Sequence, residues 1–158
     1  MNPLTFQLNR LFEQLSQQQP AIDSTAAVLA QAAVSEGTIF IAAFGEMKAV
    51  TAAALLSEEP LMAAAEWSPS SIVMSTDRVW ILATNKEGDE LAGRLSDAGI
   101  PFALVSSQSD ESELADAFLP LDSVVLQDDG DPVWVPRAMA ALYIYYAVKL
   151  SIDKLLAE

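Results

Sequence analysis

Residues 78–105 read as strand, turn, helix and strand in immediate succession, and no other stretch limits the fold so tightly. Arg78-Val79-Trp80-Ile81-Leu82-Ala83-Thr84 is an apolar run rich in β-branched and aromatic side chains, and residues 85–88 are a turn. Residues 89–98 have helical composition and stop at Gly99, after which Ile100-Pro101-Phe102-Ala103-Leu104-Val105 is a second apolar run. Strands joined through a helix lie parallel, because the crossover returns the chain to the edge where the first strand began. Such strands are covered on both faces, so an unbroken apolar run is their signature. Thr38-Ile39-Phe40-Ile41-Ala42-Ala43-Phe44 has this character too. It ends at Gly45, and residues 46–57 then have helical composition up to Glu58-Glu59-Pro60. Helices and strands alternate from residue 38 onward, which predicts an α/β fold with a parallel sheet and helices on both faces.

Two helices precede this unit. Asn2-Pro3 places a capping side chain before a proline, and Leu4, Leu8, Leu11, Phe12 and Leu15 follow at helical spacing. Gln17-Gln18-Gln19-Pro20 breaks the pattern. A second helix is expected over about 21–35, with Ile22, Ala26, Leu29 and Ala33 on one side. Glu36-Gly37 supplies its stop, with the glycine as the left-handed cap. The pattern is weakest over 61–76, where either 61–64 or 72–74 is a short strand. Ser109-Asp110 caps a short acidic helix to about Phe118, Ser123-Val124-Val125-Leu126 is a last strand, and Pro136 opens a final helix through Leu156. With no internal repeat and no long linker, residues 1–158 are expected to form one domain, of which 1–35 is a helical N-terminal segment.

Charge and composition narrow the function. Eight Lys+Arg against 22 Asp+Glu give a net charge of −14, so a surface for nucleic-acid phosphates or an anionic membrane is not expected. The chain has no His and no Cys. A Ser-His-Asp triad, a Cys nucleophile, a thiol redox pair and zinc or haem sites built on imidazole or thiolate therefore lack their atoms. The charge-free stretch 138–148, between Arg137 and Lys149, is too short for a bilayer, which needs roughly 20 apolar residues. No signal-peptide pattern opens the sequence, and the absence of Cys fits a reducing compartment, so a cytoplasmic location is expected. Residues 95–136 carry many acids and no Lys or Arg, which reads as solvated surface. Within them, Asp128-Asp129-Gly130-Asp131 lacks the spaced ligands and closing Glu of an EF-hand, so neither a metal nor a cofactor is expected.

The succession of two helices, Gly37-x-Ile39-x-Ile41 running into a glycine turn and helix, Asp77-x-Val79-x-Ile81 running into a Thr/Asn turn and helix, and Ala98-Gly99-Ile100-Pro101 resembles a sugar isomerase (SIS) domain. Within that superfamily it is most similar to the small phosphoheptose-isomerase-like proteins of Gram-positive bacilli. The resemblance covers nearly the whole chain. It implies a three-layer α/β/α sandwich around a parallel sheet of about five strands in flavodoxin-like order, and a phosphorylated sugar as ligand. It also implies a phosphate in Ser/Thr-rich turns. Their counterparts here are Ala43-Phe44-Gly45-Glu46-Met47, where Gly45 alone of the family's two glycines and serine is kept, and Ala83-Thr84-Asn85-Lys86-Glu87-Gly88. Phosphoheptose isomerases place a His and a Glu on the helix after the first strand; those positions hold Ala53 and Ser57 here, with Glu58 one residue beyond. The second histidine has no counterpart in Val133-Trp134-Val135-Pro136-Arg137.

Ligand contacts are therefore expected from Phe44, Gly45, Met47, Lys48, Thr84, Asn85, Lys86 and Glu87, at the carboxyl ends of the strands where the sheet order reverses. Glu46, Glu87 and Asp89 lie in the first turns of the helices that begin there. A carboxylate about 5 Å from a phosphate costs on the order of 3 kcal/mol at an effective dielectric near 20, so these acids favour amines, hydroxyls or a hydrated cation. As caps of their own helices they need no ligand at all. Three readings follow: a SIS-type binding domain for a phosphorylated sugar or related carbohydrate derivative, without the family's catalysis; a phosphosugar isomerase using Glu58 or Glu46 as base; and an interaction protein with an empty cleft. The apolar stripe of the first helix suits a homodimer contact or packing within the chain. Trp80, Tyr143, Tyr145 and Tyr146 read as core or interface.

Overall fold

The computed structural model describes residues 3–121, 127–128, 131–132 and 135–157. Two helices, α1 (Pro3–Ser16) and α2 (Gln19–Val34), lead into β1 (Ile39–Ala43), a 3-10 turn (Gly45–Met47) and α3 (Lys48–Leu56). There follow β2 (Ala64–Glu66), β3 (Arg78–Leu82), α4 (Asp89–Ala98), β4 (Phe102–Ser106), a second 3-10 turn (Asp110–Leu114) and β5 (Ala117–Pro120). β6 (Gln127–Asp128) and β7 (Asp131–Pro132) pair antiparallel, and α5 (Arg137–Ala157) ends the chain.

Five strands form one sheet in the order β2-β1-β3-β4-β5, every pair parallel. β1 takes β2 on one side and β3 on the other, with Ile41 opposite both Glu66 and Trp80. Alternate side chains of the strands separate two cores. Ile39, Ile41, Trp80, Leu82, Val105 and Leu119 meet α1, α2, α3 and α5 on one face, through Leu11, Leu15, Ile22, Leu29, Val50, Ile144 and Val148. On the other, Val79, Ile81, Phe102 and Leu104 meet Leu91, Ala92 and Leu95 of α4. The rest of this second face is covered by Trp67 and Val73, from the extended link between β2 and β3.

That link explains the weak pattern over 61–76. β2 overlaps the alternative at 61–64 only at Ala64, and 72–74 is not strand. No periodic element crosses from β2 to β3; the segment is tied down by Asp77 instead. Its buried carboxylate accepts the backbone N–H of Thr38 at 2.8 Å and of Met74 at 2.7 Å. Asp77→Ala leaves both groups without this partner, at about 1–3 kcal/mol for each one that stays buried. The unfolding free energy of Asp77→Ala should fall by that amount, read as a lower denaturation midpoint at unchanged slope, whereas an unchanged midpoint would show the tether to be dispensable.

Two expectations are corrected. The acidic helix to Phe118 is a five-residue 3-10 turn, held by the reciprocal Ser109–Ser112 capping box. Phe118 then lies in β5, because Asp116 accepts the Phe102 N–H at 3.0 Å and brings the chain alongside β4 as a parallel edge strand. The strand expected at 123–126 lies outside the described residues. The break expected at Gln17-Gln18-Gln19-Pro20 is present, with α1 ending at Ser16 and α2 beginning at Gln19, and Pro20 sits in the first turn of α2, where the missing N–H costs nothing. Glycine is also used differently at the end of α2. Glu36 takes the left-handed conformation (φ 59°), while Gly37 provides room: a Cβ there would overlap the Thr76 carbonyl oxygen and stand 2.6 Å from its carbon.

The aromatic residues divide as their faces require. Trp80 and Tyr145 are fully buried and stacked at 6.3 Å, and burial, then Tyr146 and Asp153, push the Tyr145 hydroxyl up to about 12. Tyr143 stacks on Phe12 of α1 at 5.3 Å, and Tyr146 is exposed. No helix among the described residues is long and apolar enough to cross a membrane.

Candidate functional site

The order of the sheet reverses at β1. The chain leaves β1 for α3 and β2 on one side, and the next neighbour on the other side, β3, leads into α4. α3 lies on one face and α4 on the other, and the carboxyl edge between the turns after β1 and β3 is where open parallel sheets place their ligand crevice.

Two contacts hold the walls together. The Phe44 N–H donates to the Leu82 carbonyl at 2.9 Å, continuing the β1–β3 ladder by one residue. The Phe44 ring reaches α4, where its Cε2 would lie 3.7 Å from a Cβ on Gly88. That Cβ would also collide with Cγ2 of Ile81, so glycine at 88 lets the start of α4 sit directly against β3. At 45 the need is conformational: φ is +61° and a Cβ would meet nothing within 4 Å, so the residue turns the chain without filling the opening.

The polar groups centre on the β3 turn. Glu87 accepts the Thr84 hydroxyl at 2.9 Å on one carboxylate oxygen and the Asn85 N–H at 2.7 Å on the other. Burial raises the Glu87 pKa, but hydrogen bonds from its own backbone, the Thr84 side chain and the Asn85 and Thr84 backbone outweigh it, so the carboxyl lies below its ordinary range. The Asn85 Oδ1 accepts the Ser107 hydroxyl at 2.9 Å, and the Asp89 carboxylate accepts the Ser109 hydroxyl at 3.2 Å. These bonds join the turn after β3 to the segment after β4.

Of the residues expected here, Phe44, Gly45, Thr84, Asn85, Lys86 and Glu87 are brought together, with Glu46 and Lys48 exposed on the adjoining turn. Met47 belongs to the same turn but its side chain is fully buried in the larger core, pinning the turn from beneath. Glu58 is elsewhere. α3 runs back against the strand direction, and the Leu61 N–H to Ala54 carbonyl and Ile39 N–H to Ala63 carbonyl bonds, both 2.8 Å, place the following turn beside the start of β1. Nine helical residues span about 13 Å, so Glu58 faces the opposite edge of the sheet from Glu46. Ser57, also at that end, gives its hydroxyl to the Ala53 carbonyl at 2.6 Å. The residues 128–131 are described only in part, as β6 and β7, and no group of three metal-ligating side chains is found among the described residues.

Residue reading missed Trp67 and Ser107. Trp67 follows β2, donates its N–H to the Ile41 carbonyl at 2.9 Å and packs its ring 6.4 Å from that of Phe44. Nothing in its local sequence marks it, since β2 itself was illegible. Ser107 had a signal: Ser106-Ser107-Gln108-Ser109 is a hydroxyl-rich run directly after a strand.

This architecture is that of sugar-isomerase-type domains. The chain superimposes on the sugar isomerase domain of an RpiR transcription factor from Sphaerobacter thermophilus with a TM-score of 0.67 at 12% identity, covering 96% of this chain and 88% of that one. For a hypothetical protein of Methanococcus jannaschii, whose structure infers a 3-hexulose-6-phosphate isomerase function, the TM-score is 0.66 at 11% identity, covering 98% and 92%. A putative phosphosugar isomerase from Bacteroides fragilis, involved in capsule formation, gives 0.60 at 11% identity, covering 87% and 80%. The chain belongs to the family described as "Domain of unknown function (DUF2529)", whose profile matches residues 1–156. It is also 28% identical over 166 residues to the uncharacterized protein YwjG of Bacillus subtilis (strain 168), covering 98% of this chain and 96% of that one.

Proposed function

We propose that this chain is a single SIS-type domain over 1–158 that binds a carbohydrate derivative between the turns after β1 and β3, without isomerase chemistry. The observation that carries this reading is the contact between the two turns, with Phe44 bonded to Leu82 and lying against Gly88, at the point where the sheet order reverses and open parallel sheets bind their ligands. The structural neighbours named for sugar phosphates or sugar isomerases share this fold, which supports a related ligand class. Binding is favoured over turnover because an aldose–ketose shift needs a positioned base. Glu58 stands at the far edge, Glu46 is exposed on its turn, and the family's His and Glu positions hold Ala53 and Ser57. Absence of Cys supports a reducing, cytoplasmic setting.

A thermal-shift panel of sugar phosphates, free sugars and nucleotide sugars tests the reading. At least one carbohydrate should raise the melting temperature by several degrees, as binding at 100 times Kd adds about 2.7 kcal/mol. Asn85→Ala, on the exposed turn, should abolish that shift with little change in the unliganded melting temperature. A flat panel would instead leave an interaction protein with an empty cleft.

The domain is further proposed to act as a homodimer. α1 spends Leu8, Leu11, Phe12 and Leu15 on its own core, so packing within the chain accounts for most of its stripe. An uncharged groove of about 450 Å³ is nevertheless left between α1 and α5, lined by Phe12, Met139, Tyr143, Tyr146 and Leu150 among others. On a chain of net charge −14, an uncharged face is the one on which a second copy can be seated with least repulsion.

A further inference from the structure

We propose that Glu87 determines the ligand class of this site: its carboxylate occupies the donors of the β3 turn and so selects carbohydrate derivatives that lack a phosphate group. The inference rests on the reading that the ligand lies between the β1 and β3 turns. Thr84 Oγ1 and the Asn85 N–H converge on the two oxygens of one carboxylate, at 2.9 and 2.7 Å, which is the arrangement an incoming phosphoryl group would need for itself. To take it, a phosphate must displace an anion tethered two residues away in sequence, at an effective concentration no free ligand matches. It would then lie beside that displaced charge, with Glu46 on the neighbouring turn and Asp89 at the first position of α4; Lys48 and Lys86 oppose three carboxylates with two ammonium groups. Hydroxyl and amine groups meet no such conflict, because they approach the Glu87 carboxylate as donors and do not compete with it for the donors of the turn. The Phe44 and Trp67 rings, both half-buried and 6.4 Å apart, offer apolar surface to the C–H face of a sugar ring.

Calorimetric titration of the wild type, Glu87→Gln, Glu87→Ala and Glu87→Gln/Thr84→Val with inorganic phosphate, glucose 6-phosphate, glucose and glucosamine tests this at low salt. Both single variants should bind phosphate and glucose 6-phosphate at least about tenfold tighter than the wild type, and Thr84→Val should remove the gain. Glucosamine affinity should fall. A residue that only caps its turn would lose stability on substitution with no change in ligand preference. Equal phosphate binding by wild type and single variants overturns the assignment of Glu87, whatever the sugars do. A gain in phosphate binding with no response to any sugar in any of the proteins upholds that assignment and overturns the carbohydrate reading alone.

Discussion

Gly37→Ala is expected to destabilise the protein by about 3 kcal/mol or more, lowering the melting temperature by about 10 °C. The added methyl would overlap the Thr76 carbonyl oxygen, 2.6 Å from its carbon and 3.1 Å from the Asp77 nitrogen. Those are backbone atoms, and they cannot swing away as a side-chain terminus can. They are also held in place: the Gly37 N–H is bonded to the Ala32 carbonyl at 2.7 Å, and Asp77 clamps Thr38 and Met74. Relief would require moving either the end of α2 or the lead into β3, and with them the start of β1 beside β3. Calorimetric melting of the variant checks the claim. A melting temperature within about 2 °C of the wild type would mean that the 74–78 segment yields easily and that Gly37 has no packing role.

A comparable loss is expected for assembly. Leu150→Glu, at a side chain 70% exposed on α5, should convert a dimer into a monomer in sedimentation at micromolar concentration. Covering a leucine contributes about 2 kcal/mol, and in a two-fold interface each substitution acts twice, so about 4 kcal/mol or roughly a thousandfold in dimer affinity is lost. The new carboxylates add repulsion on a surface already strongly negative. Because Leu150 is absent from the buried core, the melting temperature of the monomer itself should change little. A wild-type chain that is monomeric at every concentration would refute the dimer outright. A dimer indifferent to Leu150→Glu would place the interface on another face.

The parts of the fold legible without coordinates are those whose pattern is local. The β3–α4–β4 unit lies where its apolar runs put it, because each strand is buried on both faces and each turn is marked by glycine or polar residues. The long final helix and the two leading helices are equally plain. Legibility fails at β2 and β5, edge strands of three and four residues whose pairing is set by neighbours rather than by their own pattern. Acidic residues and serines around 109–118 favour a helix locally, yet the open edge of β4 and the Asp116–Phe102 bond draw the chain into a strand.

For the site, sequence alone determined the chemistry available: carboxylates, hydroxyls and a few amines, with no imidazole or thiol anywhere, in an acidic chain that alternates strands and helices. It also located the two turns after β1 and β3. Only the tertiary structure decided which of their groups meet. Glu58, a few residues past α3, is carried to the opposite edge because a crossover helix must run back against its strands, whereas Thr84, Asn85 and Glu87 close on one another and on Ser107. Trp67 reaches Phe44 from the end of the neighbouring strand, because the same crossover sets β2 beside β1. Residue type is a local property, but proximity depends on where a parallel sheet reverses its order, and that is set by packing on its two faces.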